Sequence, residues 1–192
     1  MPTVTRLPVV GVIGSGSQVH EDLAAPLGSW LATQDVYLVA GAGHGVMAAV
    51  SKAFAASPSR KGLVLGIVPC IGGQTPQIPK PGYPNFWVEV PIRTHLHLSG
   101  QQGDDLGSRN HIVVLTAALL VALPGSAGTA SEVGLALRYQ RPVIAYLNSR
   151  EDIPGLPSEV KWERALSQEK AFITQALGKP SDLVPQAGIP TK

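Results

Sequence analysis

Cysteine is almost missing from this chain of 192 residues: Cys70 stands alone, so no internal disulfide can form. Charge is sparse as well. Asp, Glu, Lys and Arg make up 15% of the residues and the net charge is only +2. No run of Lys or Arg appears, which argues against nucleic acid or an anionic membrane as the main partner, because both demand a clustered basic face. The longest apolar runs are strand-sized, short of the roughly 20 residues that a membrane helix needs. The opening MPTVTRLPVV has no basic start, long apolar stretch or small-residue cleavage site of the secretory kind, so the expected location is cytoplasmic. No internal repeat is found.

What is present suits a compact globular domain, with 44% hydrophobic residues and a length that allows one well-buried core. A single domain is expected over 1–178, followed by a flexible proline-containing tail over 179–192. The runs 8-PVVGVIG-14, 36-VYLVA-40, 63-LVLGIVP-69, 118-ALLVAL-123 and 142-PVIAYL-147 read as strands with little polar alternation, the pattern of a parallel sheet covered on both faces. Between them 20–33, 46–57, 107–117 and 130–140 have helical spacing, although Pro26 and Gly28 weaken the first. The alternation predicts an α/β fold, a single-domain Rossmann-like doubly wound parallel sheet with helices on both faces. Segment 70–86, rich in Pro and Gly, predicts an irregular surface loop and a candidate lid. A final amphipathic helix is expected over 158–177, with Ser158 as its N-cap.

In such a sheet the ligand crevice lies beyond the carboxyl ends of the strands, and three of the turns there are rich in glycine. They are 14-GSGSQ-18, 41-GAGHGVM-47 and 124-PGSAGTASE-132. Glycine lets the main chain approach an anion, and a helix N-terminus adds N–H groups with a favourable dipole. A strand-to-helix turn needs small residues in any case, so one such loop alone is punctuation; three together point to a ligand. The first turn lacks the third glycine of the dinucleotide fingerprint, and Ala40 and Gly41 stand where an acidic residue would hold a ribose. The phosphate loop ending in G-K-[ST] is absent.

Arg109, early in one predicted helix, and Glu132, in the first turns of another, can both reach the rim of one crevice. Gly125, Gly128 and Thr129 lie between them. That set allows cleavage of a glycosidic bond: amides and Thr129 hold a phosphate, Glu132 binds sugar hydroxyls or activates water, and Arg109 balances developing charge. Taken singly, a first-turn carboxylate that stabilises a helix dipole and a surface helix arginine account for both residues.

Pro124, Gly125, Gly128, Thr129 and Glu132, with Arg109 fifteen positions ahead of the motif (124 − 109 = 15), resemble the P-G-G-x-G-T-x-x-E pattern of the cytokinin-activating phosphoribohydrolases called LOG (LONELY GUY) and their bacterial relatives. The turn 41-GAGHGVM-47 and 14-GSGS-17 are similar to two further turns of that family, and the resemblance spans roughly residues 8–147. It implies catalytic roles for Arg109 and Glu132. It implies contacts to a phosphate or nucleotide from Gly14, Ser15, Gly16 and Ser17, from Gly41, Gly43, His44, Gly45 and Met47, and from Pro124, Gly125, Ser126, Gly128 and Thr129. Ser126 replaces the second glycine of the motif, Ala42 replaces the middle glycine of the other turn, Ala118 stands where an aspartate is usual, and the arginine context reads 107-GSRNH-111. These departures resemble a branch that includes the molybdenum-cofactor carrier proteins.

Two functions follow from the resemblance. One is hydrolysis of a nucleoside 5′-monophosphate to free base and ribose 5-phosphate, without metal or cofactor, and this is the favoured reading. The other is a carrier or sensor that binds a pterin phosphate such as molybdenum cofactor. Either implies a small phosphorylated ligand and a homodimer or higher homo-oligomer. A pyridoxal enzyme is discounted because neither Lys52 nor Lys61 has an evident Schiff-base setting. His95 and His97 lack a third ligand for a metal and read as a polar strand face or loop. Cys70 reads as a buried structural thiol, and Trp30 as core.

Overall fold

The computed structural model describes residues 6–72, 75 and 77–178; the expected tail at 179–192 lies outside them, as does part of the loop 70–86. Seven strands form one sheet: β1 (Val9–Ile13), β2 (Tyr37–Ala40), β3 (Val64–Val68), β4 (Val90–Arg93), β5 (Leu119–Ala122), β6 (Val143–Tyr146) and β7 (Trp162–Glu163). The order across the sheet is β4-β3-β2-β1-β5-β6-β7 and every pairing is parallel. Five helices connect them: α1 (Glu21–Leu31), α2 (Val46–Ala55), α3 (Asn110–Thr116), α4 (Ala127–Arg138) and α5 (Leu166–Gly178). This is the doubly wound α/β fold that the alternating apolar runs predict.

Two cores follow from the two covered faces. On one, α1, α2 and α5 bury Leu27, Leu31, Val50, Phe54 and Ile173 against alternate residues of the strands. On the other, α3 and α4 bury Val113, Val114, Val133 and Leu135. The central strands therefore read as continuous hydrophobic runs, with all four residues of β5 buried. Trp30 is packed half-buried at the edge of the first core.

Gly28, which seemed to weaken α1, explains how that helix packs. A Cβ at this position would lie 2.6 Å from the carbonyl oxygen of Val50, so the missing side chain lets α1 and α2 approach closely. Tertiary packing outweighs the glycine's poor helix propensity.

Two strands are absent from the sequence expectation. β4 carries Pro91 and is exposed along its length, and proline, lacking the N–H a ladder needs, is tolerated there because the strand lies at the edge. β7 falls inside the stretch expected to be the last helix. The exposed edge of β6 offers unpaired backbone groups, and the segment ahead of α5 fills them: Ala145 N–H donates to Lys161 O at 3.0 Å and Leu147 N–H to Glu163 O at 2.9 Å. The helix accordingly starts at Leu166, and Ser158 does not cap it.

Within α5, Glu169 is fully buried and neither carboxylate oxygen has a hydrogen-bond partner among the described residues. Burial, reinforced by the charge of Glu163, pushes its pKa up from 4.5 to about 8. The folded state holds this proton to higher pH than the unfolded chain does, so the protein loses stability as pH rises from about 4.5 to about 8. Urea denaturation at pH 5, 7 and 9 is expected to show a shallower decline for Glu169→Gln than for wild type, with the variant the more stable at pH 9; parallel curves would refute it.

Candidate functional site

The sheet order reverses between β1 and β5, because the chain leaves β1 toward β2 and β3 but enters β5 on the opposite side. At such a switch point the two following loops part to opposite faces and leave a crevice. Here it is a cleft of ≈ 460 Å³ lined by Ser15, Gly16, Ser17, Gln18 and His20 on one side and by Pro124, Gly125, Ser126 and Asp152 on the other.

Backbone hydrogen bonds fix its walls. Ser15 N–H donates to Pro124 O and Val46 N–H donates to Ser15 O, both at 2.9 Å, so all three glycine turns are tied through one residue. The Ser15 hydroxyl accepts from Gln18 N–H at 3.0 Å and from Ser17 N–H at 3.3 Å, which holds the first turn in shape. Ser126 is the N-cap of α4 with extended backbone, and its side chain makes no capping bond. Helix geometry leaves the N–H groups of Ala127 and Gly128 without intrahelical acceptors. The mouth of α4 thus offers donors and a favourable dipole to an anion. Gly125 N–H is already committed, donating to Asp152 O at 3.0 Å.

Asp152, Gln18 and His20 are cleft residues that the glycine motifs did not reveal. The sequence signal for Asp152 was 149-SRED-152, a capping box in which its carboxylate accepts from Asn148 N–H at 2.9 Å and Ser149 N–H at 3.0 Å. Those bonds offset the negative charge the residue brings to the crevice.

The other expected site residues stand behind the cleft or beside it. Gly14 packs on Val46, where a Cβ would lie 2.9 Å from a side-chain methyl. Gly45 has φ +59° and abuts the carbonyls of Ser15 and Gln18, a combination only glycine accepts. Gly43 and Gly16 both face the Met47 methyl, Gly128 packs on Gly100, and Thr129 is buried with its hydroxyl against Gly125. His44 is exposed and lines a second cavity of ≈ 430 Å³ together with residues of the segment 82–87. Ala42 adopts φ +62°, in the left-handed region where the resembled motif has glycine. A non-glycine residue there costs on the order of 1–2 kcal/mol.

Arg109 and Glu132 do come together. Arg109 Nη1 lies 3.5 Å from Glu132 Oε1, and the two residues are only 4% and 9% exposed. The guanidinium also donates to Asn110 Oδ1 and lies flat against Gly41, where a Cβ would sit 2.6 Å from Cζ. Neither residue lines the switch-point cleft. The stretch 98–108 packs on the N-terminal parts of α3 and α4, pinched by the Leu98 N–H to Gly107 O bond of 3.2 Å and in contact through Gly100 with Gly128 and through Gly103 with Asn110 and Ser131. Arg109 Nε and Ser131 Oγ are buried and have no hydrogen-bond partner among the described residues. Desolvation raises the Glu132 pKa from 4.5 to about 7, against the opposing pull of Arg109.

His95 and His97 lie in a loop beyond β4, and no group of three or more His, Cys, Asp or Glu able to hold a metal occurs among the described residues. Cys70 is buried, its thiol donating to His95 O at 3.0 Å. No helix among the described residues is long and apolar enough to cross a membrane.

An all-parallel sheet with helices on both faces and a crevice at its switch point is the Rossmann-like α/β class. The chain belongs to the SLOG cluster4 family, whose model matches residues 7–176. No curated protein matches it. Among solved structures it is similar to the molybdenum cofactor binding protein of the phototrophic bacterium Rippkaea orientalis, with 27% identity over 90% of this chain and 98% of that one and a TM-score of 0.67. It is similar to the molybdenum cofactor carrier protein of Chlamydomonas reinhardtii, with 26% identity over 91% and 100% of the two chains and a TM-score of 0.65. DNA processing protein A from Streptococcus pneumoniae shares the fold, at 14% identity over 86% of this chain and 61% of that one and a TM-score of 0.54.

Since Arg109 is the positive charge nearest Glu132, its removal must raise the Glu132 pKa further. Titration of the glutamate carboxyl carbons by NMR is expected to place Glu132 above about 7 in Arg109→Met; an unchanged value would mean that the two groups are not electrostatically coupled.

Proposed function

We propose that this chain binds a small phosphorylated molecule at the β1/β5 switch point and serves as its carrier, with a pterin phosphate of the molybdenum-cofactor type as the ligand. The observation that supports a carrier over the hydrolase favoured on sequence is the separation of the two features. The cleft is open and lined largely by Ser and Gly residues, whereas the reactive pair Arg109–Glu132 is buried and takes no part in its lining. The likeness to two proteins described as binding or carrying molybdenum cofactor supports the same ligand class.

The residues fit the phosphate end of such a ligand. Ser15, Ser17 and Ser126 bring hydroxyls, and the start of α4 brings amides. Mass spectrometry of small molecules released from the protein, purified from cells that make molybdenum cofactor, is expected to find a pterin phosphate near stoichiometry. Ser126→Asp, which places a charge at the α4 mouth, is expected to reduce its occupancy about tenfold or more through charge repulsion. A wild-type protein that carries none, and takes up none when supplied with it, would overturn the carrier reading.

A hydrolytic reading retains one specific support. A carboxyl with a pKa of about 7 beside an arginine is poised for proton transfer at neutral pH. For that chemistry the buried Glu132 must become accessible to the sugar. With a panel of nucleoside 5′-monophosphates, a hydrolase releases free base at a rate that Glu132→Gln lowers by at least about 100-fold, the low end expected for loss of a general acid–base. The carrier reading expects no release above that variant.

A further inference from the structure

The cavity lined by His44 and by Tyr83, Pro84, Asn85, Phe86 and Trp87 has no counterpart in the phosphate site, and its chemistry is different. No Asp, Glu, Lys or Arg lines it. Three aromatic side chains do: Phe86 is 87% exposed, and Trp87 stands against it edge to face at 5.1 Å between centroids. The walls are held by buried Asn85, whose side chain donates to Gly43 O at 2.8 Å and accepts from Trp87 N–H at 3.0 Å while its own N–H donates to Ala42 O at 2.8 Å. Thus Asn85 clamps the aromatic segment onto the second glycine turn and holds Ala42 in its left-handed conformation. Strain of this kind persists only where the surroundings over-determine it, and such places cluster at ligand sites.

The cavity lies on the same sheet edge as the phosphate cleft. Strands β5, β1 and β2 are consecutive, and neighbours are about 4.8 Å apart. The turn after β2 is therefore roughly 10 Å from the turn after β5, two strand spacings along the carboxyl edge. The Met47 methyl reaches toward both: a Cβ would lie 3.7 Å from it at Gly16, in the cleft, and 2.8 Å from it at Gly43, beside Tyr83.

We propose that this cavity is the stacking site for the fused nitrogen heterocycle of the ligand whose phosphate occupies the switch-point cleft, with Phe86 and Trp87 supplying π-faces and His44 a polar edge. The proposal rests on the reading of a phosphorylated ligand at the switch point. An uncharged planar ring suits a cavity without formal charge, and a rigid aromatic platform binds such rings through either face. Residues 82–86, the end of the segment expected from sequence as a lid, thereby supply part of the recognition surface.

Equilibrium binding of four probes separates the two sites: ribose 5-phosphate reports the cleft, adenosine and neopterin report the ring cavity with a purine or a pterin, and AMP engages both. Phe86→Ala removes an exposed side chain, so folding is expected to be intact by circular dichroism. It is expected to weaken AMP and whichever free heterocycle binds by about tenfold or more, the effect of losing one stacking partner, and to leave ribose 5-phosphate within about twofold. Equal affinity of Phe86→Ala and wild type for AMP and for both free heterocycles, or no binding of any heterocycle while ribose 5-phosphate binds, overturns the proposal and leaves the phosphate reading standing. Phe86-dependent binding of adenosine or neopterin without any binding of ribose 5-phosphate supports the ring cavity and removes the phosphate reading instead.

Discussion

The backbone of Ser15 is the joint on which the binding face depends. Its N–H reaches across the switch point to Pro124 O while its carbonyl accepts Val46 N–H, so the turns after β1, β2 and β5 share one hydrogen-bonded hub. Each turn alone would be a loop with several accessible shapes. Joined in this way, they present a fixed surface whose serine and glycine groups need no ordering when an anion arrives, and the entropy of ordering those groups is met during folding. The tight glycines serve that joint: Gly45 is needed where α2 begins against Ser15, and Gly14 where β1 ends under Val46.

The same geometry separates accessibility from reactivity. Serine and backbone groups line the open cleft, while Arg109 and Glu132 sit in a dry layer behind it, where loss of water raises the carboxyl's proton affinity. Folding compensates part of that cost through the guanidinium, which contacts Glu132, Asn110 and the bare backbone of Gly41 together. A buried ion pair with an unpaired Nε is not an economical stabilising device.

Much of this was legible in the sequence for a definite reason. The inner strands are buried on both faces, so their apolar runs were continuous, and the glycine turns followed them at the carboxyl ends where ligands bind. The edge elements were not legible. β4 is exposed and contains Pro91, and β7 is two residues long and exists because β6 has a free edge to fill, a reason found in the partner strand and not in 162–163. In the site, Arg109 and Glu132 were found by their motif, whereas their burial comes from tertiary packing, which no local pattern announces. The ring cavity was hidden in the same way. His44 was visible inside a glycine turn, but its aromatic neighbours belong to a segment that spacing alone left unplaced.

Gly41 shows how far such dependence reaches. It lies at the end of β2, yet the space its missing side chain leaves is filled by the guanidinium of Arg109, a residue at the start of α3 and distant in sequence. The two positions therefore form a single packing unit. A side chain at 41 collides with the arginine, and a shorter residue at 109 leaves a void above the strand, so a change at one position alters the packing at the other.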